Sequence, residues 1–252
     1  MGNAVVHFGV GAADDGPLVA FYGQLFGWSL QGFPGYTAID TRGGAGINGG
    51  IRKSLTGVPW STFYVETDDL QATLGRASSL GGSAVLPATD IGGAAIALFG
   101  DPDGLLVGLV QASEESAPSS GPGEPVTWFE VVGSDAARTQ RFYADLFGWT
   151  VDSSGFPGYA VVNPLSGRGI QGGIGGGEDV CWATVYARVA DVDQTLSRAE
   201  DLGGSRISAP GLTALKSAAR AALYGSADDG MKTGAFRDPA GNIFCVFDYG
   251  TG

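Results

Sequence analysis

One histidine, His7, is all the imidazole in this 252-residue chain, and two cysteines, Cys181 and Cys245, are all its thiols. A nonhaem iron centre of the usual kind takes two histidines and a carboxylate, so that inventory excludes it. A catalytic zinc takes about three protein ligands and an open position, which one histidine and two distant cysteines poorly supply. Two cysteines also make no disulfide framework. Basic residues are scarce: 14 Lys and Arg stand against 26 Asp and Glu, for a formal charge of -12. They are not clustered, which argues against a nucleic acid or an anionic membrane as partner. No run of 18 apolar residues offers a membrane span. The opening MGNAVVHFGV has no basic stretch leading into an apolar one, and Val6 stands where a myristoylation signal needs Ser or Thr. The expectation is a cytoplasmic protein.

What is present is apolar and glycine-rich. Apolar residues make up 44% of the chain and charged ones 16%, enough for a sizeable core. Glycine occurs 44 times, far above its usual share of roughly 7%, and is spread between aromatic runs, as tight turns and close-packed strands require.

The chain also repeats itself. FYGQLFGWSLQGFPGY at 21–36 returns as FYADLFGWTVDSSGFPGY at 142–159. HFGVGAAD at 7–14 aligns with WFEVVGSD at 128–135, and GINGGI at 46–51 with GIQGGI at 169–174. WSTFYVETDDLQATL at 60–74 aligns with WATVYARVADVDQTL at 182–196, and FGDPDG at 99–104 with FRDPAG at 236–241. The second copy carries roughly 15 extra residues between Ile207 and Asp238. A Ser/Pro/Gly stretch separates the copies, so two domains are expected, 1–112 and 124–252, with a linker over 113–123 and an inserted segment near 212–231.

Within each copy the pattern runs strand, Asp, helix, then short glycine-punctuated strands, and runs so again. The helical stretches GPLVAFYGQLFGW and ARTQRFYADLFGW space apolar residues as a helix does, for example Phe142, Leu146 and Trp149. That predicts an α+β fold of four βαβββ modules with concave mixed sheets.

The strand–Asp–helix–FYxxLFGW run, the GFPGY turn, the WxTxYxxVxD strand and the DPxG turn resemble the vicinal oxygen chelate superfamily. It includes glyoxalases, extradiol dioxygenases, and bleomycin-binding proteins. The tandem form is similar to actinobacterial proteins labelled "hydroxylase" or glyoxalase-like. The resemblance implies paired modules whose concave sheet holds a metal and a substrate, with ligands from first and last strands. Those positions fall on His7, Thr62 and Gly108 in the first copy and on Trp128, Thr184 and Cys245 in the second. Asn48 and Gln171 are the nearest polar residues to the remaining position. Only His7 is a ligand type the family uses, so no metal and no cofactor are expected; Glu66 is the one residue placed to join His7.

Strand alternation puts Thr62, Tyr64 and Glu66 on one face with His7, and Trp128, Glu130, Trp182, Thr184, Tyr186, Arg188, Cys245 and Phe247 on the matching face of the second copy. Aromatic walls with a few polar groups suit a small molecule, and the second, more aromatic cup is the expected site. Two functions stay open, with a metal-dependent glyoxalase or dioxygenase behind them. One is metal-independent binding of an aromatic natural product, for sequestration or as a biosynthetic accessory. The other is a metal-free enzyme using His7 with Glu66, or Glu130 with Tyr186, for proton transfer. Plainer roles compete: His7 as a satisfied half-buried residue, Glu130 and Arg188 as an ion pair, Cys245 as a small hydrophobe, one copy as degenerate. The glycine-rich GRGIQGGIGGG lacks the Lys-Ser/Thr of a phosphate loop. A helix is expected in the insertion, with Leu212, Leu215, Ala219 and Leu223 on one stripe, as a lid or a surface ornament. The duplication supplies paired modules, so a monomer suffices.

Overall fold

The computed structural model describes residues 3–54, 56–91, 93–111, 118–156, 158–164, 166–176, 181–207 and 232–248. The insertion near 212–231, with its expected helix, lies outside the described residues. Four modules follow one another. The first is β1 (Val5–Ala12), α1 (Gly16–Phe26), β2 (Ser29–Phe33), β3 (Tyr36–Asp40) and β4 (Asn48–Lys53). The second is β5 (Trp60–Thr67), α2 (Leu70–Ser79), β6 (Ser83–Asp90), β7 (Ala95–Gly100) and β8 (Leu106–Gln111). The third is β9 (Val126–Gly133), α3 (Ala136–Phe147), β10 (Thr150–Phe156), β11 (Tyr159–Asn163) and β12 (Gln171–Gly176). The fourth is β13 (Trp182–Arg188), α4 (Val192–Asp201), β14 (Ser205–Arg206), β15 (Thr233–Arg237) and β16 (Ile243–Phe247).

Two eight-stranded sheets result, ordered β2-β3-β4-β1-β5-β8-β7-β6 and β10-β11-β12-β9-β13-β16-β15-β14. Strands β5 and β8 pair parallel, as do β13 and β16, beside antiparallel hairpins such as β2–β3 and β15–β16, so both sheets are mixed. The α+β fold of four βαβββ modules follows the sequence pattern.

Local chemistry explains the repeated boundaries. The Asp after each of β5, β9 and β13 is a helix N-cap: Asp69, Asp135 and Asp191 accept from the backbone N–H of Ala72, Arg138 and Gln194. Such a cap contributes about 1 kcal/mol. At the other end, Gly27 and Gly148 adopt the left-handed conformation that closes α1 and α3. The FYxxLFGW helix is therefore shorter than its periodicity implies: Trp28 and Trp149 lie beyond the cap, off the helical stripe predicted for Trp149. They are buried core residues nonetheless. In each DPxG turn the Asp carboxylate takes two backbone N–H groups, from Asp103 and Leu105 at Asp101, and from Ala240 and Asn242 at Asp238.

The strands of each sheet come from one copy, yet the compact units do not. One unit comprises Met1–His7, Thr62–Ser116 and Phe129–Ala183; the other comprises Phe8–Ser61, Ala117–Trp128 and Thr184–Gly252. The first unit thus joins the second and third modules, and the second unit the first and fourth. In the second unit α1 packs on α4, and Phe21, Tyr22, Phe26 and Trp28 gather around Phe236 and Phe244, with Phe26 and Trp28 stacked at 4.5 Å. In the first unit α2 packs on α3, and Phe142 and Phe147 pack on Phe99, while Trp149 and Phe63 pack on Phe129. Aromatic pairs of this kind add roughly 0.5–1.5 kcal/mol each beyond their buried area.

Two further joints are built alike. In the second unit the N–H of Ile47 donates to the Val126 carbonyl at 2.9 Å; in the first, that of Ile170 donates to the Val5 carbonyl at 3.0 Å. The preceding residues, Gly46 and Gly169, have φ of 76° and 74°, and a Cβ on either would lie 2.0 Å or 2.3 Å from the same carbonyl oxygen. Only glycine fits there. The linker is also partly docked: Ser119 donates its N–H and its hydroxyl to Asp40, in the second unit.

Candidate functional site

The face carrying Phe8 in the second unit and Phe129 in the first packs against Trp28 and Trp149, so the other face of each sheet is the one that the sequence assigns to a ligand. In the second unit that face collects Trp128 on β9, Thr184, Tyr186 and Arg188 on β13, and Cys245 and Phe247 on β16. Parallel pairing sets Tyr186 beside Cys245 and Arg188 beside Phe247, and the Tyr186 and Phe247 rings lie 6.5 Å apart. Trp128 and Phe247 are each 1% exposed, and Thr184 and Cys245 are fully buried. Thr184 donates its hydroxyl to the Ile243 carbonyl at 2.8 Å, which fastens β13 to the start of β16. The backbone N–H of Arg188 donates to the Pro125 carbonyl; burial pushes the Glu124 carboxyl above the usual range, against the smaller opposing pulls of the Ala190 backbone hydrogen bond and the Arg188 guanidinium.

The first unit holds the other candidates. His7 is half-buried, with its ring edge-on to Tyr64 at 5.6 Å. Tyr64 is paired in register with Gly108, and its ring occupies the space a Cβ on Gly108 would need. Around Tyr64 lie Ile96 and Val110, with Val6, Leu86 and Leu98 beside them. Thr62 donates its hydroxyl to the Leu106 carbonyl at 2.6 Å, as Thr184 does to its counterpart. Glu66 forms an ion pair with Arg168, which is 46% exposed while Glu66 is 10% exposed. Glu130, 1% exposed, accepts from the Tyr159 hydroxyl at 3.1 Å and from the Trp182 indole at 3.0 Å.

The sequence reading found neither Tyr159 nor Arg168. Tyr159 ends the GFPGY repeat, and its ring covers Gly173 on β12. In the first copy Tyr36 covers Gly50 and donates to the Gly49 carbonyl, where no carboxylate is available because Gly9 stands in the place of Glu130. A tyrosine repeated in both copies opposite a repeated glycine was the available signal. For Arg168 there was none, because its partner lies in the other copy.

A glyoxalase-like domain family matches residues 129–247. The anthracycline biosynthesis protein DnrV of Streptomyces peucetius is 27% identical over 233 residues, covering 81% of this chain and 83% of its own length. A Mn(II)-bound glyoxalase from Novosphingobium aromaticivorans superposes with a TM-score of 0.63 at 14% identity, over 98% of this chain and 82% of that one. These likenesses support the resemblance to the vicinal oxygen chelate superfamily that the sequence motifs carry. The same architecture recurs in homoprotocatechuate 2,3-dioxygenase from Arthrobacter globiformis, with a TM-score of 0.64 at 14% identity over 98% of this chain and 80% of that one. At such identities the likeness speaks of fold alone.

The resemblance invites a test of the superfamily's metal against the residues present. In the first unit, Thr62 spends its hydroxyl proton on Leu106, and Gly108 offers no side chain while Tyr64 fills the space beside it. In the second unit the corresponding residues are Trp128, Thr184 and Cys245, and an indole N–H donates only. Asn48 accepts from the Thr41 N–H through its side-chain oxygen, and Gln171 is exposed. Among the described residues no three of His, Cys, Asp and Glu lie together as metal ligands. This donor set does not fit the metal.

Among the described residues no helix is long and apolar enough to cross a membrane.

Proposed function

We propose that this protein binds a planar aromatic small molecule, of natural-product type, on the face of the second unit that carries Trp128, Tyr186 and Phe247, without a metal. One observation carries the reading. The positions at which the superfamily places ligands hold Trp128, Thr184 and Cys245 there, all buried, with the one hydroxyl committed to a strand carbonyl. A flat apolar ring in place of a ligating nitrogen favours stacking over coordination. The anthracycline biosynthesis relatives from Streptomyces, at 27% and 26% identity, support a ligand of that shape. Sequestration and service to a biosynthetic enzyme both follow from such binding.

A metal-free enzyme is the second reading, and Glu130 favours it. A carboxylate 1% exposed costs several kcal/mol to bury, and only the second copy carries it. Tyr159 and Trp182 steady it, as a proton-transfer residue requires. Glu66 is less available for proton transfer than its position suggests, since its carboxylate is engaged in an ion pair with Arg168.

The deciding experiment titrates Trp128→Ala and His7→Ala with a planar aromatic ligand, after each variant is shown to melt cooperatively. Trp128→Ala is expected to weaken binding by roughly 1–3 kcal/mol, the scale of a lost buried aromatic contact, and His7→Ala by less. If His7→Ala abolishes binding and Trp128→Ala does not, the first copy's face holds the ligand. Recovery of the ligand unchanged and in stoichiometric amount supports binding alone; its conversion supports the enzyme.

A further inference from the structure

The GFPGY hairpin occurs in both copies, and the two copies put it to different use. In the second copy Tyr159 is 1% exposed, pairs in register with Gly175 and gives its hydroxyl to Glu130. In the first copy Tyr36 pairs in register with Arg52 instead, and the Arg52 guanidinium carbon lies 5.6 Å from the centre of the Tyr36 ring. On its other side Tyr36 pairs in register with Phe33. Residues directly opposite in antiparallel strands share a face, with about 5 Å from one to the next. Phe33, Tyr36 and Arg52 therefore stand abreast on β2, β3 and β4, all within the second unit. Phe33 is 51% exposed, and Tyr36 and Arg52 are half-buried, so the row presents apolar and cationic surface to solvent.

We propose that this row is a small-molecule site of its own, for a planar aromatic carboxylate whose ring lies on Phe33 and whose acid group meets Arg52. The proposal does not rest on the aromatic face that carries Trp128. Tyr36 is the fixed member of the row: its ring covers Gly50, and its hydroxyl donates to the Gly49 carbonyl at 3.3 Å. A guanidinium attracted to that ring is held in over the sheet, beside Phe33, instead of extending into water. It presents five N–H donors in one plane and can meet both oxygens of a carboxylate. Among the described residues no carboxylate of the protein is ion-paired with Arg52. In a chain of formal charge -12, that cation beside an exposed ring reverses the local field and favours an anion that also carries an apolar plane. Phe33 and Arg52 are two strand spacings apart, about 10 Å at the backbone, which suits two fused rings bearing one acid group.

The test titrates the full-length, nitrogen-15-labelled protein with 2-naphthoate and with the neutral 2-naphthalenemethanol, following backbone amide shifts. Naphthoate is expected to move the amides of Phe33, Tyr36 and Arg52 and to bind roughly 2- to 5-fold more tightly than the alcohol, the worth of an exposed ion pair. That preference should vanish in Arg52→Gln and shrink as salt is raised, since exposed charges are screened. Phe33→Ala should weaken both probes by a similar factor. Trp128→Ala, once shown to melt cooperatively, should leave the shifts in place, which separates this row from the face of Trp128. Equal binding of the two probes, a preference that survives in Arg52→Gln, shifts confined to other residues, or shifts lost in a folded Trp128→Ala would each overturn the proposal. So would failure of wild type to bind either probe.

Discussion

The Tyr22 hydroxyl donates to a carboxylate oxygen of Asp238 at 3.1 Å, across 216 positions of sequence. In the first unit Tyr143 does the same to Asp101, at 3.2 Å. Each time, the tyrosine of one copy's FYxxLFGW helix bonds the aspartate of the other copy's DPxG turn. Burial, reinforced by the neighbouring carboxylate, holds both phenols well above the usual tyrosine range, and burial raises both carboxyls.

These pairs predict an alkaline weakness. An unfolded tyrosine ionises near pH 10, whereas Tyr22 and Tyr143 stay protonated in the fold to higher pH. Above pH 10 the unfolded state therefore holds fewer protons, and the stability present below it is lost as pH rises toward the raised folded values. Urea melts from pH 8 to 11 should show that fall, shallower in Tyr22→Phe/Tyr143→Phe. At pH 8 each single variant should lose about 1 kcal/mol, the net worth of its hydrogen bond. A double variant with the wild-type alkaline limb would refute the assignment.

Glu130 separates scaffold from chemistry. Glu130→Gln retains an acceptor for either Tyr159 or Trp182 and should cost about 1–2 kcal/mol in a denaturant melt. If it also eliminates turnover of a substrate whose binding persists, Glu130 is the proton-transfer residue. A change confined to the melt assigns it to architecture.

Protein purified without added metal should carry far less than one equivalent of zinc, iron, nickel or manganese. Chelators should leave its melting temperature unchanged. Stoichiometric metal by elemental analysis, lost together with ligand binding on chelation, would reverse the argument from the donor set.

Gly46→Ala and Gly169→Ala should each be strongly destabilising, by about 2 kcal/mol or more, because strain at positive φ adds to a collision with a carbonyl oxygen. Gly27→Ala has a positive φ but open space for its Cβ, and should cost only about 1 kcal/mol. Equal losses in melts of Gly27→Ala and Gly46→Ala would remove the collision from the account.

Sequence displayed what is local or repeated. The capping aspartates Asp69, Asp135 and Asp191, the DPxG turns and the alternation that puts Tyr186, Cys245 and Phe247 on one face are all short-range patterns, and each copy confirms the other. Helix periodicity misled at Trp149, because Gly148 ends α3 before the apolar spacing does. Pairings between copies were hidden, since nothing in a strand's own pattern says that Arg168 meets Glu66 or that Tyr22 meets Asp238. The state of Trp128 was hidden too: its position on the candidate face was legible, but an N–H that meets no acceptor among the described residues is a property of everything around it.

That each compact unit draws on both copies has a consequence for synthesis. When the first module leaves the ribosome, the aromatic side of α1 has no lasting partner, because Phe236 and Phe244 have not yet been made. At roughly 5–20 residues per second, the interval before they appear is about 10 seconds or more, longer than helix or hairpin formation needs. The second and third modules can complete their unit earlier, so the order of assembly runs from the middle of the chain outward. Phe21 and Phe26 meanwhile lack the rings of Phe236 and Phe244 that they pack against in the fold, and stay open to chaperones and to the same segment of another nascent chain.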